Sequence, residues 1–416
     1  MSTEEHPARF LRRLVVAVGA VGAALRLAML AWKWDRPLLL NDSWWYGAQA
    51  QQLGKGHFFP EFLGVSGAEH APFTSIVLAP GALLDPSISW QRATNTLLGI
   101  AAVFLLGWLA HRIAGARAGL IATAIAALYP NIWMSDALIM SETLALLLVT
   151  LALHLAWTFR IDRRPRVAIA LGVVLGLGVL TRSELMVLVP FLAFAGARGR
   201  PRGEWLRAAG LVVATSVAVL LPWLVFNATR FDRPVLMSTN DGTTLLGSNC
   251  PLTYSGSNLG GWSLRCLDQV GDVDGDASVR SAEQRSAAFS YARQDISRLP
   301  LVAVARLGRA VDLFGVSESV RADLCEERPR WAVWLGIGCW WLLAPMAAIG
   351  MRRLYRAHGL FLVAPAVAVL ATTVLFYGSH RLRAPLEPLV VLGAAVFLAG
   401  LGGKGRAPDV EPALAE

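Results

Sequence analysis

Residues 14–33 read LVVAVGAVGAALRLAMLAWK, and residues 41–46 read NDSWWY. The first run is long enough to cross the hydrocarbon of a bilayer as a helix, and Arg26 is the one charge deep within it. The second places a carboxylate, Asp42, just past the end of that helix, among aromatic residues of the kind that sit at a membrane surface. A charge there is costly to bring near lipid, so it asks for an explanation. The rest of the chain agrees with a membrane setting. Of 416 residues, 55% are hydrophobic and 16% charged, and the mean hydropathy is +0.50. That is too apolar for a soluble globular protein and implies an all-α polytopic membrane protein.

The net charge of +9 does not point to nucleic acid, because its distribution follows another rule. Arginines and lysines fall in short loops between alternate apolar segments: Arg9, Arg12 and Arg13; Arg112 and Arg117; Arg160 to Arg166; Arg198 to Arg207; Arg352, Arg353 and Arg356; Lys404 and Arg406. This is the positive-inside pattern, and it orients both termini toward the cytoplasm. About ten transmembrane helices are expected, over residues 14–33, 92–112, 117–132, 138–159, 167–181, 184–197, 206–226, 331–351, 359–377 and 384–402. No small-residue cleavage site follows the first of them, so no cleavable signal peptide is expected. The chain then divides into an N-terminal transmembrane module (1–226), an outer loop region (227–330), C-terminal transmembrane helices (331–402) and a cytoplasmic tail (403–416).

Two segments lie on the outer face. The first, about 34–90, carries Asp42, Glu61, Glu69 and His70, and a short apolar stretch, 72–84, that reads as an interfacial or re-entrant helix. The second, 227–330, reads as loop up to Gly261, then as an amphipathic helix over 281–299 that Pro300 breaks. Cys250 and Cys266 both fall there and are expected to form a disulfide, the alternatives being two free thiols or Cys325 as the partner; the closed loop would contribute about 3 kcal/mol. Cys339 lies within a span. Asn41 and Asn227 begin Asn-x-Ser/Thr sequons, and a glycan on Asn41 would crowd Asp42, which favours a bacterial inner membrane. The run from Asp272 to Glu283 has acids at positions 1, 3, 5 and 12, as in a calcium loop, but Ala277 stands where the sharp turn wants glycine. An acidic loop leading into a capped helix is the plainer reading.

The polar residues of the spans gather at one rim. Asp136 and Glu142 stand where the third span turns into the fourth, Arg182 in Thr181-Arg182-Ser183-Glu184, and His380, Arg381 and Arg383 before the last span. Positive charge on an outer rim runs against the positive-inside rule, so these arginines call for an anion. A lipid-linked phosphate would meet that need. A sugar esterified to it already has a stable leaving group, so one carboxylate that deprotonates an acceptor hydroxyl suffices, with arginines stabilising the departing phosphate. The plainer readings are that Asp42 is a helix N-cap, that Arg182 pairs with Glu184, and that Glu142 answers a helix dipole.

At these residues the chain resembles the GT-C class of membrane glycosyltransferases, closest to the family 39 group of protein O-mannosyltransferases and lipid A aminoarabinose transferases. Asn41-Asp42-Ser43-Trp44-Trp45-Tyr46 resembles that group's first-loop Asp segment, and His70-Ala71-Pro72-Phe73 its His-Pro-Pro-Leu element. Leu128-Tyr129-Pro130 with Ser141-Glu142 is similar to a Tyr-Pro then Ser-Glu pattern. Leu180-Thr181-Arg182-Ser183-Glu184 is similar to Leu-Thr-Arg-Pro-Glu, and Arg381-Leu382-Arg383-Ala384-Pro385 to an Arg-Tyr-Arg-Leu-Pro turn. The likeness covers most of the chain to about Phe194 and returns near its end. Ser43 stands where a second acid is common, and Ala71 where a proline is.

The resemblance implies a GT-C-like bundle with two outer-face loop regions. It implies transfer of a sugar from a polyprenyl-phosphate donor to a lipid, glycan or protein acceptor at the periplasmic face, with inversion. Asp42 would be the base; His70, Glu142, Arg182, His380, Arg381 and Arg383 would contact substrate; no metal or other cofactor is required. Two other readings remain open: a polyprenyl-linked sugar transporter or flippase, which would carry a midplane site on broken helices, and a scaffold displaying the 227–330 loop.

Overall fold

The computed structural model describes residues 5–401; the tail at 403–416, with Lys404 and Arg406, lies outside the described residues. The regular elements among these are all helices, and the described residues contain no strand, only an isolated bridge between Phe62 and Val65. Six helices are long and apolar enough to cross a membrane: Phe10–Lys33, Ser87–Leu128, Glu142–Ile161, Arg202–Ala228, Arg330–Arg356 and His380–Leu401. Phe73–Ala82, Pro165–Val179, Ser183–Ala197 and Phe361–Leu375 are apolar but only 10–17 residues long. At the helical rise that is about 15–26 Å, short of the roughly 30 Å of a hydrocarbon core. Six helices, not the expected ten or so, thus meet the length criterion.

Part of the difference lies in Ser87–Leu128, one helical run where two spans were expected. It does not run straight. Gly115, with φ 85° and ψ 175°, breaks it, in a region of backbone space that side chains disfavour. A Cβ on Gly107 would collide with Thr123, and one on Gly119 would lie 2.8 Å from the His111 Cβ. In a straight helix residues 107 and 123 would be about 24 Å apart. The chain therefore doubles back at Gly115 into a tight helical hairpin.

Close crossings of this kind recur where small residues face each other. Arg330–His358 lies along Glu387–Leu401, with Gly350 against the backbone of Gly393 and Gly393 against that of Ala347. Without a hydrophobic force between helices in lipid, such backbone proximity supplies the packing energy. Arg26 is also accounted for. It is fully buried, and its Nε donates to Asp136 Oδ2 at 2.7 Å. Its remaining nitrogens donate to the carbonyls of Gly22, Ala126 and Ala127. Asp136, read from sequence as a rim acid, is an interior partner for a helix charge, its second oxygen accepting from Thr143 at 2.7 Å.

The loop regions are more ordered than composition suggests. The first contains helices Asp42–Gly54 and Phe73–Ala82. In the second, the stretch read as loop before Gly261 holds the helix Asn240–Ser248 and the helical turn Pro251–Tyr254. The Cys250–Cys266 disulfide joins this part, and Cys325 and Cys339 are free. The helix expected at 281–299 starts earlier, at Ala277, because Asp276 caps it through Ser278 N and Val279 N, at 2.9 and 3.1 Å. It ends at Gln294. Pro300 does not break it but opens the next helix, Leu299–Ala310, where a missing N–H costs nothing. Asp276 Oδ2 accepts from the Asp232 backbone at 2.9 Å, so both oxygens of this acid are engaged in the fold.

Candidate active site

Asn41, not Asp42, caps the helix Asp42–Gly54. Its Oδ1 accepts from Ser43 N at 2.9 Å, and its Nδ2 donates to the Cys325 carbonyl at 2.9 Å, reaching the second loop region. This leaves the Asp42 carboxylate uncommitted to the backbone at the first position of the helix, where the dipole favours a negative charge. It opens on a cavity of about 180 Å³. Tyr46, His70, Arg182, Tyr377 and Arg381 line it around Asp42, and Asn240, Asp241 and Thr244 close it from the second loop region. Sequence-distant elements thus meet at one end of the bundle.

Arg381 organises the site. Its Nη2 donates to Asp42 Oδ2 at 2.5 Å and its Nη1 to Glu326 Oε1 at 2.6 Å, while its Nε donates to Glu142 Oε1. Arg182 stands beside it, with Nε to Glu184 Oε1 at 2.6 Å and Nη1 to Ser141 and Glu142, both at 3.3 Å. On the other side of Asp42, His70 Nε2 lies 3.4 Å from Oδ1. The imidazole stacks on Tyr46, centroids 5.1 Å apart, and meets Trp45 edge-on. Burial pushes the Asp42 carboxyl up, but Arg381 and His70 outweigh it and hold the group well below the ordinary carboxylate range. Glu69 shifts the other way: burial raises it, and its neighbours His70 and Arg280 only partly offset that.

Of the residues singled out from sequence, Asp42, His70, Glu142, Arg182 and Arg381 meet here. His380 and Arg383 do not. His380 bridges two buried acids, Nδ1 to Asp312 Oδ1 at 2.7 Å and Nε2 to Asp323 Oδ2. Arg383 is 2% exposed; it donates to Asp312 Oδ2 at 2.9 Å, Glu387 Oε1 at 3.0 Å and the Ala310 carbonyl at 2.8 Å, and its guanidinium lies 3.7 Å over the Trp340 ring. Their positive charge is answered by protein carboxylates, and neither lines the cavity beside Asp42. Sequence reading also missed Glu326 and Arg328. Arg328 donates to Asp323 Oδ1 at 2.8 Å and lies 3.5 Å from Glu326, which it helps hold against Arg381. The signal was the charge run Glu326-Glu327-Arg328 at the end of the second loop region, directly before an apolar helix. Glu327 serves the fold instead, taking Arg92 at 3.1 Å and Lys33 at 3.4 Å.

Comparison with solved structures places this architecture. Against the Archaeoglobus fulgidus oligosaccharyltransferase in its apo form the TM-score is 0.56 at 13% identity, covering 94% of this chain and 50% of the other. Against the same enzyme in complex with zinc and sulfate it is 0.55 at 14% identity, covering 93% and 49%. The chain thus spans about half the length of these proteins. ArnT from Cupriavidus metallidurans bound to undecaprenyl phosphate aligns at a TM-score of 0.43 with 15% identity, over 93% of this chain and 77% of that one. The fold is the one seen in that oligosaccharyltransferase. Within it, residues 69–226 match the family described as Dolichyl-phosphate-mannose-protein mannosyltransferase. No curated protein matches the sequence.

Proposed function

We propose that the chain is a membrane glycosyltransferase that moves a sugar from a polyprenyl-phosphate donor to an acceptor hydroxyl, with Asp42 as general base. The observation that carries this is the placement of Asp42, unbonded to the backbone, on a cavity shared with Arg381 and Arg182. The acceptor oxygen attacks the anomeric carbon as its proton passes to Asp42. The bond from that carbon to the phosphate oxygen breaks, its electron pair stays on the phosphate, and the configuration inverts. Arg381 and Arg182 face the charge that develops on the leaving group, where fixed cations act most strongly. Because Ser43 stands where a second acid would be, the base is read as metal-independent.

The match to a family described by a dolichyl-phosphate sugar supports the donor class. The basic loops support an orientation with cytoplasmic termini in a bacterial inner membrane and the site at the periplasmic face. The acceptor is a lipid, glycan or protein hydroxyl. The test is turnover of a panel of labelled polyprenyl-phosphate sugars by purified protein in detergent, where no sealed compartment exists and a flippase makes no product. Loss of sugar from one donor, abolished in Asp42→Asn, is the expected result. Near-normal turnover in that variant would remove Asp42 from the role of base.

A further inference from the structure

Arg381 is committed on every edge. Its three nitrogens face three carboxylates, from Asp42, Glu142 and Glu326, drawn from three separate parts of the chain. The three are not equivalent. Glu142 is 5% exposed and held also by Arg182; Glu326 is 18% exposed and lies beside Arg328; Asp42 is 31% exposed and faces the cavity. Glu142 and Glu326 therefore fix the guanidinium from behind, and Asp42 covers the one edge an incoming anion could reach. A carboxylate so held is a poor base, since the guanidinium stabilises the ionised form that has to accept a proton. The same contact that places Asp42 also suppresses it.

We propose that a lipid-linked phosphate displaces Asp42 from Arg381, so that Asp42 is released toward the acceptor only after the donor has bound. The proposal rests on the glycosyltransferase reading and adds to it an order of events and a positioning role for Glu326. Phosphate oxygens take the Nη2 edge of Arg381 because they offer a bidentate acceptor of higher charge than one carboxylate. Asp42, now beside a second anion, loses its stabilising partner and turns to the acceptor hydroxyl. Glu142 and Glu326 keep the guanidinium in place through the exchange. The other groups bearing on Asp42 are His70 directly, Tyr46 and Tyr377 across the cavity, Glu69 behind His70, and Arg182. None of these is bonded to Asp42 Oδ2, so the exchange at Arg381 is the change Asp42 feels most.

The experiment reads Asp42 directly, in the full-length wild-type protein. Carbodiimide coupling of glycine ethyl ester, at mildly acidic pH, modifies carboxyls in proportion to their protonated fraction, and mass spectrometry of the Asp42 peptide measures it. Farnesyl phosphate is the probe, farnesol the control of equal tail, and calorimetry records binding of each. Farnesyl phosphate should raise modification of Asp42 about tenfold, the change for one unit in pKa. Farnesol should leave it unchanged. Arg381→Gln should show the raised level with no lipid present. Binding of farnesyl phosphate with Asp42 modification unchanged or lowered would overturn the exchange while leaving the transferase reading intact. Failure of farnesyl phosphate to bind at all would overturn both.

Discussion

Arg381 and Arg383 are two residues apart, yet they serve different regions of the molecule. Arg381 faces a cavity and holds Asp42, Glu142 and Glu326. Arg383, with His380, is sealed among Asp312, Asp323, Glu387 and Trp340. The segment His380–Leu386 is a 3-10 helix. In that geometry residues i and i+3 eclipse, so His380 and Arg383 share one side and Arg381 takes another. The two networks have similar chemistry and opposite purposes. What separates them is whether a carboxylate of the set meets the cavity.

That contrast can be broken by substitution. The largest effect should come from Asp42→Asn, which leaves the thermal midpoint in place while transfer falls about 10²–10⁴-fold, the usual worth of a general base. Arg383→Ala should do the reverse. Removing it leaves buried Asp312 and Glu387 without their shared partner, a loss of about 3–5 kcal/mol in stability, measured by denaturation in detergent, with activity per folded molecule retained. Reducing the Cys250–Cys266 bond, or replacing both cysteines by serine, should cost about 3 kcal/mol by the chain-entropy argument; an unchanged midpoint would show that the docked loop holds itself.

The smallest effect is a pH dependence. Asp323 is buried; burial pushes its carboxyl up, but His380 and Arg328 together lower it from its ordinary 3.8 to about 2. A carboxyl depressed in the folded state contributes stability that is full above the unfolded value and lost as pH falls through the folded one. Melting temperature should therefore drop as pH falls from 3.8 toward 2, and Asp323→Asn should flatten that part of the curve. A curve that kept its slope in the variant would assign the dependence elsewhere.

Much of this was legible in the sequence, for reasons that can be named. Apolar length and basic loops gave the helical membrane class because both are one-dimensional properties. Asp42 stood out because an acid among interfacial aromatics is rare. What sequence could not give was direction. Arg381 and Arg383 look alike until the backbone turns. Asp136 looks like a rim acid until Arg26, 110 residues away, reaches it. The hairpin at Gly115, by contrast, was legible, because Arg112 and Arg117 mark a basic loop between the spans expected at 92–112 and 117–132. Glu326 was overlooked because its partner, Arg381, lies 55 residues further on and only the fold joins them.

The pairing of Asp42 with Arg381 spans 339 residues. A chain made from its N-terminus onward produces Asp42 well over three hundred residues before Arg381. Until Arg381 is in place, Asp42 and Glu142 lack their shared cation, and Asn41 waits in turn for the carbonyl of Cys325. A nascent or truncated chain without Arg381 therefore has a hydrophobic bundle but lacks the cation that joins Asp42, Glu142 and Glu326. A protein that stopped short at residue 375 would be expected to insert in the membrane and transfer nothing.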